Sequence, residues 1–376
     1  MKLRYIIIVY TILGLSVSCS CNRHIHKWSG KYPQFEVKNI FEDGRFPNVV
    51  VAKDGSLLAV WGRNKVVAKK SKDGGITWSK EILIAESGIH SGGTIVDDQT
   101  GNIFVFLEED HPPAPISIYV SKNNGDTWAL HSTKIASDKN GNAPSMHMNE
   151  HGVTLKSKKY AGRIIRPARY YGKTNDRSEW SNHYTNAIYS DDNGINWKTS
   201  DPFPAKGTGE ATLVELSDGT IYYNSRRHLS TDGLNPRKRH IAKSHDGGET
   251  WINLSVSEEL PDGEQYRDYG LMAGLTRIPI ENYDILLFSN IISEKGRNNG
   301  HIWVSFDGGE TWPIKKLIDE GSFGYSSMTT GRSNTVSEGL IYLFYESDSG
   351  GKIAKFNLQW LLGGKKLSDF IKGYHN

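Results

Sequence analysis

Cysteine is almost absent from this chain. Of 376 residues only Cys19 and Cys21 carry a thiol, both near the N-terminus, so no disulfide framework holds the body of the protein. Long apolar runs are missing as well, and the one such stretch, Tyr5 to Val17, is too short for a comfortable membrane span. There is no block of like charge and no low-complexity segment, and a net charge of +3 is too mild to argue for nucleic acid as a partner. Helical apolar periodicity is absent except in the C-terminal Leu358 to Ile371, where a helix is expected. No pair of histidines shows metal-ligand spacing on a recognisable element, so neither metal nor cofactor is expected.

The N-terminus reads as an export signal over residues 1–21. Met1-Lys2-Leu3-Arg4 is a basic start, an apolar stretch follows, and the segment ends at Ser-Cys-Ser-Cys. The pattern is of the lipoprotein type. Cys19 or Cys21 is expected to become the lipidated first residue, holding the protein at the bacterial cell surface or the periplasmic membrane face. An ordinary cleaved signal is the alternative, since Ser16 stands where a lipobox before Cys19 carries Leu. The membrane would be met through this anchor only. Residues 30–376, in a chain with 37% hydrophobic content, read as one domain, expected to be a monomer.

Five copies of one short pattern, S-x-D-x-G-x-T-W with single-residue drift, punctuate that domain. They are SKDGGITW from Ser71, SKNNGDTW from Ser121, SDDNGINW from Ser190, SHDGGETW from Ser244 and SFDGGETW from Ser305. Their starts lie about 50 to 70 residues apart, the range of architectures built from one supersecondary unit per repeat. Each copy has hairpin-turn chemistry: an Asp or Asn side chain expected to bond amides two residues on, Gly for positive φ, and Trp to pack the turn on the sheet. Between copies run short alternating strands such as NVVVAKDGSLLAVWG and LIYLFYES.

This pattern resembles the Asp-box of the sialidase (neuraminidase) superfamily. The resemblance covers roughly Gly44 to Phe356 and implies an all-β fold, a six-bladed β-propeller of four-stranded sheets. Five boxes mark five blades. The sixth is expected from Tyr325 to Phe356, closed by a strand near Phe35 to Ile40, and the boxes themselves are expected to be structural.

The resemblance also implies a site. Sialidases hold a sugar carboxylate with three arginines, whose planar forks match it and keep their charge. Arg45 in GRFP, Arg226 in NSRR and Arg297 in EKGRNNG match these in order, and Arg63 in AVWGRN matches a further family arginine. Glu346 in LFYES matches the acid that braces the first arginine. Tyr325 in GYSSM and Glu210 in GTGEA match the nucleophile and its base. A phenol avoids the repulsion that a carboxylate nucleophile would feel beside an acidic sugar.

One part of the pattern is missing. The family carries an Asp acid/base between the end of the second strand and the first box, and here Arg63 to Lys70 contains no acid, with Lys65 near its place. Glu108, Glu109 and Asp110 in FLEEDHPPAP offer a replacement. His90, His147 and His183 lie in segments expected near the propeller mouth, and Arg166 and Arg169 add positive charge beyond what one sugar carboxylate needs, as a sulfated or polyuronic substrate would require.

Three functions remain open. The first is a sialidase-like hydrolase releasing a terminal acidic sugar. The second is a lyase or dehydratase acting at a non-reducing-end uronic acid, which would leave a 4,5-unsaturated product. The third is a non-catalytic protein that binds acidic glycans. All three share an acidic oligosaccharide or polysaccharide as partner.

Overall fold

The structure, a computed structural model, describes residues 27–371 except 29, 91, 175, 231, 234–236, 264–269 and 281. The export signal and the anchor at Cys19 or Cys21 lie outside the described residues.

Six antiparallel sheets follow one another along the chain. Blade 1 runs through Asn48–Val51, Leu57–Trp61, Val66–Ser71 and Ile82–Ala85. Blade 2 begins with a broken inner strand, Ile89–His90 and Ile95–Val96, then Ile103–Glu108, Ile116–Ser121 and Ala129–Leu130. Blade 3 comprises Val153–Thr154, Ile164–Tyr170, Tyr184–Ser190 and Asn196–Thr199. Blade 4 is Thr208–Glu215, Ile221–Arg227, Lys238–Ser244 and Ile252–Pro261, and blade 5 is Leu275–Arg277, Leu286–Ile291, Asn298–Ser305 and Ile314–Ser322. Blade 6 takes Ser326–Thr330, Ile341–Ser347 and Gly350–Phe356 from the C-terminal end and closes with Phe35–Phe41 from the other end, paired Val37 to Ala354. This is the six-bladed propeller, with the ring closure expected from the sequence.

Burial follows position in the blade. Second strands such as Leu57–Trp61 and Ile103–Glu108 are buried at every residue, because both faces of each sheet are covered by neighbouring blades. Outer strands such as Ile252–Pro261 are largely exposed. Phe41 sits at the seam of the ring, stacked on Trp61 with centroids 5.6 Å apart and tilted against Phe344.

Three details differ from expectation. Blade 3 carries a fifth strand, Lys134–Ile135, which pairs in parallel with Asn196 and Trp197. The C-terminal helix shrinks to one turn, Leu358–Leu361, capped by the Asn357 side chain, with a 3₁₀ turn at Leu367–Asp369. Gly363 and Gly364, both at positive φ, break the segment between them. In the boxes the acidic side chain reaches three and four residues on, not two. Asp307 Oδ1 accepts from the Thr311 amide at 2.9 Å and from Ser305 Oγ at 2.7 Å, while Ser305 Oγ accepts from the Gly309 amide at 2.8 Å.

Every box joins the third strand of a blade to the fourth. In an antiparallel meander the starts of the first and third strands share one edge with the end of the second. The boxes lie at the other edge, away from the mouth that gathers the candidate residues.

Candidate active site

That edge rule explains why residues far apart in sequence meet. Arg45 and Tyr325 precede first strands, Arg297 precedes a third strand, and Arg226 and Glu346 end second strands. Glu210 lies within the first strand of blade 4, where the register shifts between Thr208 and Ala211. Such a bulge re-aims a side chain that regular pleating would turn elsewhere.

Tyr325 donates its hydroxyl hydrogen to Glu210 Oε1 at 2.7 Å. Arg226 holds the other carboxylate oxygen, also at 2.7 Å. Arg45 and Arg297 lie over the Tyr325 ring, their guanidinium carbons 5.4 and 4.5 Å from its centroid. Glu346 grips Arg45 through two bonds, at 3.1 and 3.2 Å, and accepts the backbone amides of Phe46 and Tyr325. It thereby fixes blades 1 and 6 to one another at the mouth, and it holds Phe46 at φ 73°, a left-handed conformation rare for a bulky residue. A cavity of about 680 Å³ opens beside this group, lined by Arg45, Arg297, Tyr325 and Glu346 among others.

Charge at the site is tightly coupled. Burial alone would raise the Glu210 carboxyl, but Arg226 first, then His228, hold it well below the usual carboxylate range. The Tyr325 phenol is raised by burial and by the Glu210 charge. The resting pair is therefore a neutral phenol bonded to an ionised carboxylate. A substrate carboxylate that drew Arg226 toward itself would weaken the hold on Glu210 and make it a better base. Beneath the pair, Arg239 donates to the Glu210 carbonyl and pairs with Asp262 at 3.2 Å, and Asp262 accepts the Arg227 amide.

Across the mouth lies a second cluster, from blades 2, 3 and 4. His147 Nδ1 is 3.6 Å from Glu108 Oε2, and the other oxygen of Glu108 accepts from Ser145 Oγ at 2.6 Å. His111 stacks edge-on to His147 and to Tyr171, and Tyr171 lies 4.7 Å from His183, centroid to centroid. His228 Nε2 is 3.6 Å from Glu210 Oε1 and links the two clusters. Burial first, then Arg169, push His183 down to about 2, and burial first, then Arg226, push His228 down to about 3, so both imidazoles are neutral. His111, Tyr171 and His228 were not singled out in the sequence. Their signal there was only proximity to named residues, as in EEDHPP, RYYG and SRRH.

Among the described residues, the other candidates make no hydrogen bond or ion pair with the Tyr325 and Glu210 pair. Lys65 pairs with Glu81, the residue before the outer strand of blade 1, at 3.4 Å. It ends the four-residue turn Gly62 to Lys65 between the second and third strands of blade 1. Gly62, at φ 141°, is obligatory there, since a Cβ would fall 2.0 Å from the Lys65 carbonyl oxygen. Arg63 is exposed on that turn. Glu109 and Asp110 are exposed, and Asp110 accepts the His111 amide. His90 is fully buried beneath the mouth, its Nδ1 3.0 Å from the Phe46 carbonyl oxygen, and burial lowers it to about 4. Arg166 is fully buried over Phe106 and donates to the Met146 carbonyl, a packing role between blades.

A second cavity, of about 460 Å³, opens at the opposite mouth, where all six inner strands end. Three of its four Lys and Arg side chains are taken up locally: Arg277 pairs with Asp284, Arg332 with Asp98, and Lys53 donates to the Gln99 carbonyl.

The family model of the BNR repeat-like domain matches residues 138–343. A sialidase of Micromonospora viridifaciens is 29% identical over 360 residues, covering 86% of this chain and 53% of that protein. A sialidase of Bacteroides fragilis is 26% identical over 382 residues, covering 87% of this chain and 63% of that protein. The chain thus spans less than two thirds of the length of these relatives. Among solved structures, the Hadza microbial sialidase Hz136 superposes with a TM-score of 0.65 at 22% identity, over 84% of this chain and 66% of that one. The intramolecular trans-sialidase from Ruminococcus gnavus, solved with oseltamivir carboxylate, superposes with a TM-score of 0.63 at 16% identity, over 85% of this chain and 95% of that one. At these identities the structural likeness is one of fold.

Proposed function

The chain belongs to the BNR repeat-like family of the sialidase superfamily, and on that premise we propose that it is a glycosidase acting on a terminal, carboxylate-bearing sugar. The single observation that carries this reading is the 2.7 Å bond from Tyr325 to Glu210, set between Arg45, Arg226 and Arg297. A glycan-binding protein has no need of a phenol aimed at a buried ionised carboxylate. The named sialidases among its relatives support the same reading.

The arginines take the sugar carboxylate. Tyr325 attacks the anomeric carbon as Glu210 accepts the phenolic proton, and water then releases the sugar from Tyr325. The leaving oxygen needs a proton, and the turn that carries an Asp in the family offers no carboxylate here. His147, close to Glu108 and edge-on to Phe46 at 6.1 Å, is the substitute that this reading assigns.

The missing Asp and the imidazoles of the second cluster also favour a second reading, elimination at a uronic acid. One experiment separates the two. Purified protein is incubated with sialylated oligosaccharides and, in parallel, with uronic-acid-terminated oligosaccharides, and products are identified by mass spectrometry. Release of an intact acidic monosaccharide supports hydrolysis. A cleaved product with ultraviolet absorbance from a new double bond, or one lighter by water, overturns it in favour of elimination. No product from either panel moves the chain to a binding role.

A further inference from the structure

Arg169 ends the second strand of blade 3 and is only 4% exposed, yet among the described residues no carboxylate lies within ion-pair distance of it. Four other buried arginines have one: Arg163 pairs with Asp191 and Glu249, Arg226 with Glu210, Arg227 with Asp232 and Arg239 with Asp262, while Arg166, which has none, donates instead to the carbonyl oxygens of Met146 and Pro167. A guanidinium withdrawn from water without a counter-charge is costly, and proteins keep one where something else neutralises it. The immediate partners of Arg169 do not. Its Nη2 lies 3.1 Å from Nδ1 of the neutral His183, and its guanidinium lies 4.5 Å over the Tyr171 ring. Among the described residues, Arg169 Nε and His183 Nε2 both lack a hydrogen-bond partner.

The group also belongs to the mouth. Burial weighs most on the Arg169 guanidinium, and of the charged groups at the mouth Glu210 attracts it and Arg226 repels it. Gly209, next to Glu210, makes the approach possible: a Cβ there would fall 2.9 Å from Arg169 Nη2 and 2.3 Å from His228 Nδ1. A cation, two neutral imidazoles and a phenol thus face the Tyr325 and Glu210 pair from the side opposite Arg45 and Arg297.

We propose that Arg169, seated on Tyr171 and joined to His183, forms a second oxyanion subsite of this mouth. The sugar it serves carries a second negative group, a carboxylate or a sulfate ester, at the end away from Arg45, Arg226 and Arg297. This rests on the reading that the mouth takes an acidic sugar, and it makes that sugar doubly acidic.

The test is titration calorimetry of wild type and Arg169→Met with three free sugars. N-acetylneuraminic acid has one carboxylate, its 9-O-sulfate adds a sulfate ester, and a 3-deoxy-2-ulosaric acid adds a second carboxylate. One of the doubly charged sugars should bind the wild type at least about 30-fold more tightly than the singly charged one, and the ratio should collapse to within about threefold in Arg169→Met. Whichever sugar is preferred identifies the second group. Thermal melting checks the fold of the variant. If it does not fold, Arg169→Lys, which keeps the charge but loses the planar fork, should lower the ratio by about tenfold. A wild-type ratio near one, a ratio that survives substitution, or no binding of any of the three overturns the subsite. Turnover of the singly acidic glycoside without any second-charge preference would leave the glycosidase reading standing and remove only this inference. A preference for the doubly acidic sugar with no turnover would do the reverse.

Discussion

Tyr325 and Glu210, 115 residues apart in sequence and on blades 6 and 4, share a 2.7 Å hydrogen bond at the centre of the mouth. In the proposed mechanism the phenol attacks and the carboxylate accepts its proton, so each is useless alone. Tyr325→Phe and Glu210→Gln should each lower kcat by about 10³-fold or more, and the double variant should be no worse than the poorer single. Steady-state kinetics checks this. Additive losses would mean that the two do not act as a unit.

Arg297 sets charge over the Tyr325 ring at 4.5 Å without belonging to the packed core. Arg297→Ala should raise KM and lower kcat/KM by about 10²-fold or more on an acidic glycan while the melting temperature stays within a few degrees. Wild-type kcat/KM in that variant would remove Arg297 from the site.

Acid should destabilise the protein through histidines held neutral. His90 and His240 are lowered to about 4, His228 to about 3 and His183 to about 2, with burial the first cause in each. Between about 6.5 and those values the unfolded chain binds more protons than the folded one. Stability is thus complete above about pH 6.5 and falls as pH drops, by up to roughly 1 kcal/mol per buried histidine per pH unit. Glu210, whose carboxyl is lowered, adds a further loss as pH falls below about 4.3 toward its folded value. Melting temperatures should be level above about pH 6.5 and decline steadily from there to about pH 5. A flat profile would contradict the buried neutral state.

The boxes should matter to stability and not to chemistry. Asp307→Ala removes bonds to the Thr311 amide, Thr311 Oγ1 and Ser305 Oγ, at about 1–3 kcal/mol in total. Chemical denaturation should show that loss with kcat unchanged. A large fall in kcat with unaltered stability would place the box in the site.

The fold was legible because its marker is local. A hairpin turn of fixed chemistry recurs wherever a third strand meets a fourth, so five copies give both blade number and phase. Arg45, Arg226, Arg297, Tyr325, Glu210 and Glu346 were legible because each sits within a short motif at a strand end. The second cluster was not. Its members Glu108, His147 and His183 could be named one by one, but His111, Tyr171 and His228 could not, since the cluster comes from three blades and meets only through closure of the ring. For Lys65 the position along the turn was visible in sequence, whereas its pairing with Glu81 was not. Arg166 and Arg169 look alike three residues apart. Both lie on the second strand of blade 3, but one packs between blades over Phe106 and the other meets Tyr171 and His183 at the mouth.

The central claim is that arginines at the mouth read a sugar carboxylate. Its most direct test is the rate of product release from one acidic glycan before and after chemical reduction of its terminal carboxyl group to an alcohol. Three charge-assisted contacts predict a fall in kcat/KM of about 10³-fold or more on reduction. Release from the reduced glycan within about threefold of the native rate would contradict the account.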